Sequence, residues 1–334
     1  MRFLCTLVIL LIVIPLFCFT KDELLHDLSF AETTTQQMEI LHKYFKMASS
    51  IEDQRVIQDA WREIDEEACL EYYQTDAEQH PDDLDRKYLN LRLQGSGIQL
   101  QECRRILQDK QMHEYLNRMF SLCIMEKLYA NDSESYIRSA VYRADKELLR
   151  AISEKQQDAY VMMSIFIGSV LEKNYVEAER LLDQLSDFNV LNSNWDFIQS
   201  FIVETRNYQL WSGVVQISVD HAIAQGDIEP TAKSLVVSSQ VLYTMLLAED
   251  FDAALSFISV NPLLKEEPYS QQLVLDLYLA IKDIDRAFQM LNVMVDAGNI
   301  GSSDLKDPKY ASLASSKQWK KLAEKAAKQS VEQK

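Results

Sequence analysis

The residues best suited to acid–base or metal chemistry are five histidines, at 26, 42, 80, 113 and 221. None has a partner at metal-ligand spacing, and His-Glu-x-x-His is absent. The densest polar cluster surrounds His80, with Asp76, Glu78, Asp82, Asp83 and Asp85. A calcium loop needs a central glycine and a closing glutamate, and this cluster has neither, so it reads as a solvated connector. Glu63, Asp65, Glu66 and Glu67 suggest paired carboxylates, but adjacent acids are ordinary on an exposed helix face. Gly95-Ser96-Gly97 is neither a phosphate loop nor a nucleophile elbow and reads as a helix stop. No cysteine stands beside a histidine in a nucleophile context. The expectation is a protein with no catalytic residue, no metal and no cofactor; the alternative is an enzyme whose site is hidden within residues 36–156. The aromatics are better placed for contact, since such side chains anchor interfaces. Tyr72, Tyr73 and Trp211 are the expected protein-binding residues. For Trp195 and Tyr208, core packing is the preferred reading.

The elements that must position these residues are helices. The 334 residues include only seven glycines and six prolines, with no proline between Pro81 and Pro230. Proline ends helices and glycine weakens them, so a chain that avoids both is mostly helical. The closely spaced turn signals of a β-sheet protein are missing. Hydrophobic residues make up 47%, enough for a continuous core. The formal charge of −17 repels nucleic-acid phosphates and excludes DNA or RNA as the expected partner. Residues 301–334 run against this trend, with eight lysines and four acids, and read as a closing segment with a lysine-rich helix.

Arg2 followed by the apolar run Phe3–Phe19 has the form of an export signal, with Pro15 near its end. The best cut is after Thr20, making residues 1–20 a signal peptide; if uncut, they form a signal anchor. Either way the remainder is expected outside the cytoplasm: periplasmic, secreted or in a secretory-pathway lumen. Membrane association is expected only for the uncut form, whose alternative function is that of a membrane-anchored assembly factor. Without the leader, Cys69, Cys103 and Cys123 remain, too few for a disulfide framework.

Residues 21–35 read as a flexible lead-in, and 36–156 as a helical region of degenerate repeats or a separate helical domain. Within it two helices are expected over 36–75, separated at Ser49-Ser50. From 157 to 300 four look-alike stretches appear: Asn174-Tyr175, Asn207-Tyr208, Asp250-Phe251 and Asp283-Ile284. Their apolar residues are separated by 33, 43 and 33 positions, with Gly226–Pro230 as a loop insertion in the longest interval. Each Asn or Asp is suited to cap the second helix of a pair. Three positions after the apolar residue stands Ala178, Trp211, Ala254 or Ala287.

Over about 157–295 this pattern resembles the tetratricopeptide repeat family, whose helix–turn–helix units are 34 residues long. Trp195 falls at the early Trp, Tyr278 at the Tyr, and Ala178, Ala254 and Ala287 at the later Ala. The family's Gly position is occupied by Phe166, Gln199, Leu242 and Leu275, and the Pro that ends each unit is absent or displaced. The resemblance implies an all-α fold of antiparallel helix pairs stacked as a right-handed superhelical solenoid. It also implies a non-catalytic role in holding a protein or peptide on the concave face. An acidic rim would suit a partner with a basic segment.

Overall fold

A computed structural model describes residues 19–311, 313–314 and 316–332. Of the expected export signal, residues 1–20, all but Phe19 and Thr20 lie outside the described residues. The regular structure is α-helix with four short 3-10 turns, and no strand occurs among the described residues. The chain divides into two compact units, one up to Gln156 and one from Gln157.

The first unit contains α1 (Lys21–Ser29), α2 (Thr34–Met47), α3 (Ile51–Ile64), α4 (Glu66–Gln79) and α5 (Leu84–Arg92). It continues with α6 (Ser96–Gln108), α7 (Glu114–Tyr129), α8 (Ser133–Ile137) and α9 (Ala140–Ser153). Each helix from α1 to α9 packs on the next, and α9 also packs on α6 and α7. The flexible lead-in expected over 21–35 is instead helical over most of its length. Thr20 and Glu23 exchange side-chain and backbone bonds in a capping box, and Leu24 is fully buried. The two helices expected over 36–75 are three. Asp65 leaves the helical conformation, ends α3 and accepts the Ala68 N–H at the start of α4. The apolar period runs on through this break, so the pattern alone hides it. Asp145, 1% exposed, is held by Arg104 through two bonds of 2.7 Å and by the Tyr136 hydroxyl at 2.6 Å.

The second unit contains four helix pairs. They are α10 (Ala159–Leu171) with α11 (Tyr175–Gln184), and, after the short α12 (Phe188–Ser193), α13 (Trp195–Thr205) with α14 (Tyr208–Gln225). The third and fourth are α15 (Lys233–Leu247) with α16 (Phe251–Val260), and α17 (Pro268–Ala280) with α18 (Ile284–Asp296). The closing helix α19 (Lys317–Glu332) packs on α18. Between pairs, α13 packs on α15, α15 on α17, and α11 on α14. The buried side chains at the pair crossings are Ala178, Trp211, Ala254 and Ala287, each 0% exposed.

One joint recurs in all four pairs. Lys173, Arg206, Glu249 and Lys282 adopt left-handed backbone, with φ of 60°, 57°, 51° and 60°. The Asn or Asp that follows has ψ of 69°, 71°, 67° and 81° and starts the second helix. In three joints the N–H of that residue reaches back five positions: Asn174 to Ser169 at 2.8 Å, Asp250 to Met245 at 3.0 Å and Asp283 to Tyr278 at 2.9 Å. One residue therefore closes the first helix in a Schellman motif and opens the second. Asn207, Asp250 and Asp283 accept an N–H of the second helix through Oδ1. Asn174 departs from the expected cap: its amide donates to Glu177 Oε2 at 2.9 Å.

Candidate functional site

The aromatic contact residues expected from sequence have different fates. Tyr72 is 37% exposed, in ring contact with Phe45, Trp61 and Tyr73. Tyr73 and Trp211, at 1% and 0% exposure, are core residues and present no surface to a partner. Trp211 packs on Trp195 with ring centroids 4.5 Å apart, and its Nε1 donates to the Gln240 carbonyl at 3.5 Å. A large ring at a crossing where the other pairs have alanine fills the space between helices instead of leaving it.

Among the described residues no group of three or more His, Cys, Asp and Glu is arranged to hold a metal ion. The Arg86 guanidinium beside His80 pairs with Asp76 and Asp83, tying α4 to α5. Burial pushes the Cys69 and Cys123 thiols up to about 11 and Cys103 to about 12, so all three free thiols are protonated and poor nucleophiles at neutral pH. No described helix is long and apolar enough to cross a membrane.

A groove of about 470 Å³ lies where α11 packs against α14, the second helices of the first two pairs. Leu182, Leu185 and Val214 form its buried floor, with Leu210 and Ile217 half-buried beside them. Glu179 and Asp183, one helical turn apart on α11, line one wall. Neither carboxylate has an ion-pair partner among the described residues, whereas Arg180 is bonded to Gln184. Gly213 lines the opposite side, and the space beside it is open: a Cβ at this position would meet nothing within 4 Å. Glycine in the middle of a helix costs roughly 1 kcal/mol against alanine. In a chain with seven glycines, one inside an 18-residue helix and facing a groove is a conspicuous choice.

No protein-family model, curated protein or solved structure matches the chain. The site must be read from its own chemistry. An apolar floor beside two unpaired carboxylates suits an apolar side chain flanked by cations. Glu179, Asp183 and Gly213 were not singled out in the sequence. The available signal was the isolated glycine within the apolar period of 208–225.

Proposed function

We propose that this protein is an exported, non-catalytic scaffold that holds other proteins on a tetratricopeptide-like stack of helix pairs. The four-fold recurrence of one backbone joint supports the stacked-repeat reading. Arg2 and the run Phe3–Phe19 support export. The observation that carries the binding function is the groove between α11 and α14, with its apolar floor, its Glu179 and Asp183 without ion pairs among the described residues, and the open space beside Gly213. Its occupant is a basic peptide segment with at least one apolar anchor.

The test uses three fluorescent leucine-bearing peptides, one lysine-rich, one neutral and one glutamate-rich, titrated against residues 21–334. Tightest binding of the lysine-rich peptide, weakening with salt, is expected for this groove. Gly213→Phe fills the groove from a position with free space, so it removes this binding while the far-UV spectrum is unchanged. Glu179→Gln with Asp183→Asn weakens it about tenfold, the equivalent of ~1.4 kcal/mol. Unchanged binding of the lysine-rich peptide to Gly213→Phe rules the groove out.

A further inference from the structure

A second groove, of about 630 Å³, lies along α16 and α18, the second helices of the third and fourth pairs. It repeats the first one position by position. Glu179 and Asp183 stand four and eight residues after Tyr175, and the same steps after Phe251 reach Leu255 and Ser259. Leu210, Gly213, Val214 and Ile217 on α14 correspond to Arg286, Gln289, Met290 and Val293 on α18. All of these residues line their respective grooves. The floor stays apolar in both, but the charge is reversed. The acids of the first wall become Leu and Ser, an apolar position becomes Arg286, and Lys265 joins the lining from the turn before α17.

In a chain of formal charge −17, the only charged groups lining this groove among the described residues are Lys265 and Arg286. Lys265 has no ion pair among the described residues, and its backbone is fixed by Gln271, which donates to its carbonyl at 2.9 Å. Arg286 Nε lies 3.4 Å from Asp283, while its two terminal nitrogens have no acceptor among the described residues. Behind them is Tyr278, 6% exposed, whose ring lies 5.9 Å from the Arg286 guanidinium carbon. The Tyr278 hydroxyl has no hydrogen-bond partner among the described residues, and although most of the side chain is buried, this oxygen is not itself buried and reaches solvent at the groove. A hydroxyl open to solvent on a groove wall is free to donate to an incoming acceptor.

We propose that this groove binds an acidic peptide segment. A carboxylate of the segment is received by Arg286, Lys265 and the Tyr278 hydroxyl, and a neighbouring apolar side chain lies on Leu255, Ile258, Met290 and Val293. Charge complementarity selects the occupant. The exposed Ser256, Ser259 and Gln289 along the edge leave the groove open to solvent, which suits an extended chain better than an enclosed fatty acid. The site goes beyond the first groove and does not need it: the two take segments of opposite charge, so one array can hold two different chains, or two regions of one chain.

The test is titration of residues 21–334 with the glutamate-rich, leucine-bearing peptide, with decanoate as the competing small carboxylate. Arg286→Gln is expected to weaken peptide binding about tenfold, the size of one lost charge-assisted hydrogen bond. Tyr278→Phe removes only the unpartnered hydroxyl, so it weakens binding several-fold and leaves the thermal midpoint unchanged. Gly213→Phe leaves this binding intact, which separates it from the first groove. Wild-type affinity in both Arg286→Gln and Tyr278→Phe, or saturable binding of decanoate in place of the peptide, overturns the proposal.

Discussion

The Tyr208 hydroxyl donates to Asp250 Oδ2 across 3.1 Å, linking the first residue of α14 to the cap of α16. The other oxygen of the same carboxylate accepts the Ala253 N–H, and Arg206 approaches at 3.6 Å. One side chain thus caps a helix and joins two successive joints. Asp250→Ala removes the cap and the cross-link together and is expected to cost about 2 kcal/mol, and Tyr208→Phe about 1 kcal/mol. The double variant should cost less than the sum of the two, as for any pair that shares an interaction. Urea unfolding of the three variants measures this directly, and strict additivity would show that the bond contributes nothing.

The left-handed residue of each joint is never glycine. An L-residue in this conformation is strained by roughly 1–2 kcal/mol, which glycine avoids. Lys173 and Lys282 are both solvent-exposed. Lys173→Gly and Lys282→Gly should therefore each raise stability, by about 1 kcal/mol at most, since glycine also gains freedom in the unfolded chain. A fall in the urea midpoint for both would show that the lysine side chains make a compensating contribution.

Asp145 tests a different kind of dependence. Removing this buried carboxylate strands the Arg104 guanidinium and the Tyr136 hydroxyl, and breaking a buried pair in this way costs about 3–5 kcal/mol. Asp145→Ala should unfold the first unit well before the second in a denaturant titration, and a single unshifted transition would contradict the expectation.

Stability should fall on the alkaline side. Burial raises Tyr129 and Tyr208 to about 12, with the bond to Asp250 adding to the shift of Tyr208, and raises the three cysteines to about 11 or 12. The folded chain then keeps protons that the unfolded chain releases near pH 9 for thiols and pH 10 for phenols. The unfolded state binds fewer protons there, so stability decreases as pH rises. The loss begins near pH 9 and continues to about pH 12. Thermal midpoints between pH 8 and 11 should decline steadily, and a flat profile would mean that these groups titrate alike in both states.

The parts of the fold visible in the sequence are those set by local chemistry. Helices begin at Tyr175, Tyr208, Phe251 and Ile284, one residue after the Asn or Asp that the look-alike stretches share. The left-handed turn before each was hidden, because Lys, Arg and Glu occupy a position where glycine is the usual signal. The break at Asp65 was hidden because the apolar period continues across it. The short α12 and the capped α1 were hidden by length: six and nine residues give too little period to read. The grooves needed the tertiary structure, since Glu179 faces Gly213 only once two pairs are stacked. Tyr73 and Trp211 misled as surface anchors because the same large rings serve cores and interfaces equally well.

The recurring joint also bears on how such a chain changes over time. Its left-handed position has accepted two lysines, an arginine and a glutamate, and its crossing position both alanine and tryptophan. What persists from pair to pair is a short series of backbone angles, not a set of residues. Substitution can erode the written resemblance between copies while the hinge keeps its shape. Kinship among chains of this design would be traced better through dihedral angles than through letters.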